Sequence, residues 1–537
     1  MALGQLSRRL RRGVAPRLAV VAALWAAVAA GSASQAAEPG HQLLLPGPAG
    51  TQLLQGSAAQ RPGLSVFRGL RYATAQRWAP PVVAAAVPGL LDATRDAAVC
   101  PQPVAKFDPF EAQAVAPAAM AEDCLFLNVW APQDRSAAPR PVLVWIHGGA
   151  FTFGSGSLPA YDGSALASQG LVVVTINYRI GQLGYLAHPA LRSGEPPGLS
   201  GNLALLDQMA ALRWVQQHIA AFGGDARQVT IAGHSGGGIS VGTLMASPQA
   251  RGLFARAIIQ SGPPSGLAPP MPDLAAAEAL GQRFAANRQA DSAQALRALP
   301  LAEVLRRLPG DQLTGPVAGG AALPQTPAQV FVDGQQAPVP LMIGVASAES
   351  ATFAGGPATP EGFERFVRGF MPGQATAVLA AYPHATPAKA QAAQARVKTD
   401  QMLAASAAYA AQHTRHGHRA WLYVFDHAPP GPDSAWQQAF HGSELLYTFG
   451  NLPVLGRPWT DADRALSQQL VQRWAQFVKT GSPALAGQPA WPAYRRGAAP
   501  FRLAAPTDPV TVLDPSRAAL FHPGLDPRLP SLQPSTP

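Results

Sequence analysis

The sequence predicts an α/β fold: a central, mostly parallel sheet with helices on both faces and helix-rich insertions covering a pocket. Three observations carry this expectation. From about residue 140, short β-branched apolar runs alternate with longer stretches of helical spacing. Val142 to Ile146 and Leu171 to Asn177 have the composition of buried strands. A Gly-x-Ser-x-Gly stretch, Gly233 to Gly237, follows another such run and opens a helix.

The elements follow in order. Residues 1–36 carry Arg8, Arg9, Arg11, Arg12 and Arg17, then an apolar run from Leu18 to Ala30 and the small residues Gly31 to Ala36. That is the order of a cleavable export signal. The apolar run spans about 13 residues, short for a bilayer. Cleavage is expected after Ala36, with Ala33 as the second choice; the paired arginines also allow a twin-arginine route. The bland alternative is an uncleaved anchor. Residues 37–537 read as a single domain, with 38–140 an entry region of strands and loops.

Leu203 to Phe222 has helical spacing, with Leu205, Met209, Leu212, Val215 and Ile219 on one face, and Gly223-Gly224-Asp225 stops it. Gln228 to Ala232 is a strand ending at Gly233, and a small-residue helix follows. Ala257 to Ile259, Val339 to Val345 and Trp421 to Phe425 are later strands. Residues 265–335 and 355–415 are helix-rich with Pro and Gly breaks, and are expected to cover the sheet.

The chain is 537 residues long and 48% hydrophobic, ample for a large core. Its formal charge of +10 falls to about +5 once residues 1–36 and their five arginines are removed. No basic run with interleaved aromatics remains, which argues against nucleic-acid binding. No other segment is expected to enter a membrane. Two cysteines, Cys100 and Cys124, in an exported chain are expected to be bridged. Their loop of about 25 residues is worth roughly 3–3.5 kcal/mol by chain entropy.

The chemistry centres on Gly233-His234-Ser235-Gly236-Gly237. A strand-to-helix turn this tight strains the backbone at the serine, and glycines flank it because a Cβ would clash. The following helix aims free N–H groups at the reacting centre. His147-Gly148-Gly149-Ala150-Phe151, at another strand end, can turn N–H groups toward a developing oxyanion. Gly149, Ala150 and Gly236 are the nominated donors, with Gly148 close behind.

A serine nucleophile needs a base, and the base an orienting carboxylate, in the chain order Ser, Asp/Glu, His. His441 is the base and Glu349, just past a strand, the acid; Asp426, directly after a strand, is its main rival. Asp311 and Asp333 are read as loop and turn residues. His413, His416 and His418 are read as a polar helix end, because their spacing offers no face with three metal ligands. No zinc motif, P-loop or dinucleotide fingerprint occurs, so neither metal nor cofactor is expected.

These residues resemble the type-B carboxylesterases, the group that also contains the cholinesterases. The match runs in order over nearly the whole mature chain: Phe67 to Ala73, Glu122 to Val129, Asn177-Tyr178-Arg179, Gly201-Asn202, Asp207-Gln208, Phe222 to Asp225, His441 to Gly450 and Trp474 to Gly481. The resemblance implies an α/β-hydrolase fold, a Ser235-Glu349-His441 triad and a Cys100–Cys124 pair. His234, Gly236 and the neighbours of Glu349 depart from the family's usual Glu, Ala and Asp-Glu-Gly. The segment between the cysteines holds Phe107 and Phe110 but no Trp, which argues against a choline ester. The expected activity is hydrolysis of a small carboxylic ester through an acyl-enzyme. A non-catalytic adhesion protein on this fold would lack the serine. A lactone, carbamate, polyester or toxin ester would use the same chemistry.

Overall fold

The computed structural model describes residues 41–103, 120–135, 138–192, 200–266, 271–309, 311, 315–354, 356, 358–505, 517 and 520–521. The expected export signal and Phe107 and Phe110 lie outside these residues.

Ten strands form one sheet: β1 (Ser57–Ala58), β2 (Leu64–Arg71), β3 (Phe126–Pro132), β4 (Arg140–Ile146), β5 (Val172–Ile176), β6 (Gly224–His234), β7 (Arg256–Gln260), β8 (Leu341–Ala346), β9 (Ala420–Phe425) and β10 (Phe501–Leu503). Their spatial order is β10-β9-β8-β7-β6-β4-β5-β3-β2-β1. From β5 through β10 every neighbouring pair is parallel, while β1, β2 and β3 join antiparallel. A smaller sheet is formed by Gln42–Gly47 and Gly50–Gln55, which precede β1, with Gly89–Asp92, which follows β2.

The strand runs are continuously apolar because both faces are covered. Val142, Val144 and Ile146 of β4 enter one core cluster, while Leu143 and Trp145 enter another. This is the period of two read across a sheet buried on both sides. The first face is packed by α1 (Leu203–His218), α2 (Gly236–Ala246) and α3 (Pro387–Arg415); the second by α4 (Asp461–Thr480).

α4 starts with a reciprocal cap. The Thr460 side chain accepts from the Asp463 N–H, and Asp463 accepts from the Thr460 N–H at 2.8 Å. Gly481 ends it with φ +73°.

α1 differs from its expected form. The apolar face is buried, but so are Leu203, Leu206 and Trp214 on other sides; only Arg213, Gln216 and Gln217 reach solvent. The reason is a second cover: the short helix Gly181–Tyr185 and the hairpin of Ala73–Thr74 and Val82–Val83 pack on it. The predicted helix to Phe222 ends its α form at His218 and finishes as a 3-10 turn, Ile219–Phe222, before the predicted stop at Gly223, which has φ +78°.

The Asn177-Tyr178-Arg179 and Asp207-Gln208 motifs meet at this helix. Arg179 donates from Nε at 2.8 Å and Nη2 at 2.7 Å to the Asp207 carboxylate, and its backbone N–H adds a third bond at 3.0 Å. Both side chains are buried. Burial pushes the Asp207 carboxyl up, and Arg179 pulls it back. Removing one partner of such a pair strands the other charge. Asp207→Asn is expected to destabilise the fold by about 3–5 kcal/mol. Urea unfolding checks this, and a loss below about 1 kcal/mol would contradict it.

Candidate active site

The turn from β6 into α2 is fixed by close approach. A Cβ at Gly233 would lie 2.4 Å from the Gly237 carbonyl oxygen, and one at Gly237 would lie 2.1 Å from the Ile146 oxygen. Neither site admits a larger residue without moving backbone. Ser235 between them takes φ +54°, ψ −122°, a strained conformation for a residue with a Cβ. Its N–H donates to the Gln260 carbonyl at 2.9 Å.

The end of β4 supplies the facing turn. Gly149, Ala150 and Phe151 have φ of +100°, +50° and +61°. A Cβ at Gly236 would lie 3.2 Å from the Phe151 nitrogen and 3.5 Å from the Ala150 nitrogen. The start of α2 and this turn therefore face each other directly. Among the described residues, the N–H groups of Gly149, Ala150 and Gly236 make no backbone–backbone hydrogen bond. The Phe151 N–H, which the sequence reading did not nominate, lies in the same cleft.

Glu349 and His441 are 92 residues apart, yet Glu349 Oε2 accepts a hydrogen bond from His441 Nδ1. Ala348 pairs with Phe440 in a parallel bridge, and the Ala348 N–H donates to the Ala439 carbonyl at 2.9 Å. That contact aligns the two segments. Glu349 is fully buried. Its Oε1 accepts from the Ala346 N–H at 2.7 Å, and its own N–H donates to Thr399 Oγ1 at 3.0 Å. Both ends of the residue are held. A carboxylate can only accept, so Nδ1 carries the ring proton and Nε2 keeps its lone pair.

The rival carboxylates lie elsewhere. Asp426 accepts from Arg502 Nε at 2.8 Å, Asp311 pairs with Arg288, and Asp333 accepts from Gln329 at 2.6 Å. His416 and His418 lie partly exposed at the helix end, but His413 differs from that reading. His413 is buried, with Nε2 at 2.8 Å from the Val339 carbonyl and Nδ1 at 3.2 Å from Gln336. It pins α3 to the chain entering β8. The helical spacing alone hid this, because the covering segment comes from residues about 75 positions away. Among the described residues no group of three or more His, Cys, Asp or Glu is placed to hold a metal ion. Cys100 and Cys124 are joined by a disulfide.

The burial of two groups beside this constellation was not foreseen from the sequence. His234 is fully buried, with its ring centroid 4.5 Å from that of His441. Burial, then the neighbouring His441, hold it well below the usual histidine range, so it stays uncharged. Glu444 is also fully buried, and the Tyr423 hydroxyl donates to its Oε1 at 3.2 Å. Burial pushes its carboxyl up to about 8. Its only signal was its place three residues after His441, which says nothing about burial.

A family model described as the carboxylesterase family matches residues 53–509. The chain belongs to the carboxylesterase family. This carboxylesterase is 35% identical over 423 residues to the para-nitrobenzyl esterase of Bacillus subtilis (strain 168), covering 75% of its own chain and 83% of the relative. It is 34% identical over 440 residues to the fumonisin B1 esterase of Sphingopyxis macrogoltabida, covering 78% and 79% respectively. The fold is the α/β-hydrolase fold of that family, and the protein is a carboxylic ester hydrolase.

In this carboxylesterase the Glu444 carboxyl has a folded value above its ordinary 4.5. Its contribution to stability is therefore fully present below about pH 4.5 and lost as pH rises toward 8. Glu444→Gln removes the titration. The variant is expected to gain stability relative to wild type as pH rises from 5 to 8, with a limiting slope of about 1.4 kcal/mol per pH unit. Urea unfolding at each pH measures it; a flat difference across that range would contradict the assignment.

Proposed function

We propose that the protein hydrolyses small carboxylic esters through an acyl-enzyme, with Ser235 as nucleophile, His441 as base and Glu349 as the orienting acid. The observation that carries this reading is the buried Glu349–His441 hydrogen bond, past the carboxyl ends of β8 and β9 in the sheet whose β6 leads into the strained Ser235. The steps follow from the groups. Ser235 Oγ attacks the ester carbonyl as His441 Nε2 takes its proton. The carbonyl oxygen becomes an oxyanion, and the N–H groups of Gly149, Ala150 and Gly236 donate to it. The imidazolium, stabilised by Glu349, protonates the leaving alcohol. Water, deprotonated by His441, then attacks the acyl-enzyme and releases the acid.

No metal or cofactor enters this scheme, and no nucleic acid is a partner. Residues 37–537 act as one catalytic domain after residues 1–36 are removed on export. The Cys100–Cys124 disulfide supports an oxidising destination, periplasmic or extracellular. Among the described residues no helix is long and apolar enough to cross a membrane. The two relatives are named for different esters, which fits pocket walls built from segments outside the sheet.

Ser235→Ala is expected to fold and to lose esterase activity, and a fluorophosphonate should label wild type at Ser235 alone. Labelling that persists in the variant would remove Ser235 from its role. The acid is tested separately. Glu349→Gln keeps shape and removes charge, so kcat is expected to fall by about 10³–10⁴ with little change in KM. Asp426→Asn is expected to cost less than about tenfold, roughly 1.4 kcal/mol. The reverse order would transfer the role to Asp426.

A further inference from the structure

The turn that carries Gly149 and Ala150 is not held by the sheet alone. Gly154 closes it from below. A Cβ at Gly154 would lie 2.4 Å from His147 Nδ1 and 2.8 Å from the Gly148 oxygen. Gly154 therefore rests on the residues just before Gly149. The turn itself is compact: the Gly149 carbonyl accepts from the Thr152 N–H at 2.8 Å and the Phe153 N–H at 3.1 Å. A Cβ at Gly149 would lie 2.1 Å from the Phe153 oxygen. Any displacement of Gly154 is passed to Gly148 and Gly149, because there is no free space between them to absorb it.

One side chain fixes Gly154. Gln102 is buried, and its carboxamide pairs with the Gly154 backbone in both directions: Nε2 donates to the Gly154 oxygen at 3.0 Å, and Oε1 accepts from the Gly154 N–H at 2.8 Å. Nε2 also donates to the Cys100 carbonyl at 3.1 Å. The amide thus bridges the disulfide segment and the turn. A second amide repeats the link. Asn177 Oδ1 accepts from the Gly156 N–H at 2.9 Å and the Ser155 hydroxyl at 3.1 Å, while its Nδ2 donates to the Ala98 carbonyl at 3.3 Å. The other end of the disulfide, Cys124, sits at the root of β3, where the Phe126 N–H donates to the Cys124 carbonyl at 2.8 Å. The series runs from β3 through the disulfide and Gln102 to Gly154.

We propose that Gln102 is a positioning residue for the oxyanion site: it fastens the Gly149–Gly154 turn to the Cys100–Cys124 disulfide and so sets where the Gly149 and Ala150 N–H groups point. This rests on the oxyanion role given to those groups above. It gives the disulfide a part in catalysis besides stability. Oxyanion donors act only when held at hydrogen-bond distance from the developing charge, and one lost donor costs about 10²–10³ in kcat. A misplacement near 1 Å costs about 10². A loosened turn should therefore lower kcat and spare KM, since the ground-state ester makes little use of these donors.

The test is steady-state kinetics of Gln102→Met on the full mature chain, with a trifluoromethyl ketone as the probe of the oxyanion site. The variant is expected to lose roughly 10- to 100-fold in kcat with KM within about threefold. The inhibition constant of the ketone should rise by the same factor, while fluorophosphonate still labels Ser235. The Cys100→Ser/Cys124→Ser variant is expected to act in the same direction, and the combined variant to fall short of the product of the two losses, as one series of contacts requires. Should Gln102→Met not fold, Gln102→Glu carries the test: it keeps the acceptor for the Gly154 N–H and loses the donor, so a smaller loss of the same kind is expected. A kcat within threefold of wild type, or a fall in kcat without weaker ketone binding, would overturn the clamp. Labelling of wild type at a residue other than Ser235 would instead overturn the triad reading beneath it.

Discussion

Gly237 packs so tightly on the end of β4 that a Cβ there would stand 2.1 Å from the Ile146 oxygen. This close approach depends on two neighbouring parallel strands ending at the same level. Ile146 of β4 pairs with Gly233 of β6, so the turn after β6 begins where β4 stops. The strain at Ser235 persists because the turn has nowhere else to go. The same approach sets the start of α2 against Ala150 and Phe151. One packing constraint thus holds Ser235 and brings the Ala150 and Phe151 N–H groups up to the start of α2.

The remaining members arrive through the parallel order of β7, β8 and β9. β8 ends at Ala346, and its continuation carries Glu349; the bridge from Ala348 to Phe440 delivers His441 to it. The carboxylate is gripped by Ala346 and Thr399. Thr399 belongs to α3, so the long helix in the excursion also positions Glu349. Around these groups burial holds His234 well below the usual histidine range and pushes the Glu444 carboxyl up to about 8, so both are biased toward their uncharged forms. An uncharged neighbour leaves the proton on His441 to be governed by Glu349, its hydrogen-bonded partner.

Buried polar side chains do much of the joining between elements. Arg179 and Asp207 tie α1 to the chain after β5. Gln102 and Asn177 tie the disulfide segment to the turn after β4, and His413 ties α3 to β8. Each satisfies backbone groups that a loop would otherwise leave unpaired beneath the surface. This is how long irregular connections are accommodated around a rigid sheet.

Local physics made much of this legible in the sequence. Strands buried on both faces must be apolar throughout, so β4 to β9 stand out as runs. A turn with no room for a Cβ must use glycine, so Gly233 and Gly237 mark Ser235, and Gly149 marks the facing turn. The two cysteines are expected to pair with each other, and Cys100 and Cys124 do. The choice among carboxylates was a different matter. Glu349 and Asp426 both follow strands, and strand-end position cannot separate them; the bridge from Ala348 to Phe440 does, by placing one against His441 and leaving the other with Arg502. The burial of His413, Glu444 and Gln102 was equally hidden. A polar residue carries no local sign of what will cover it, since its cover comes from chain that is remote in sequence and close only after folding.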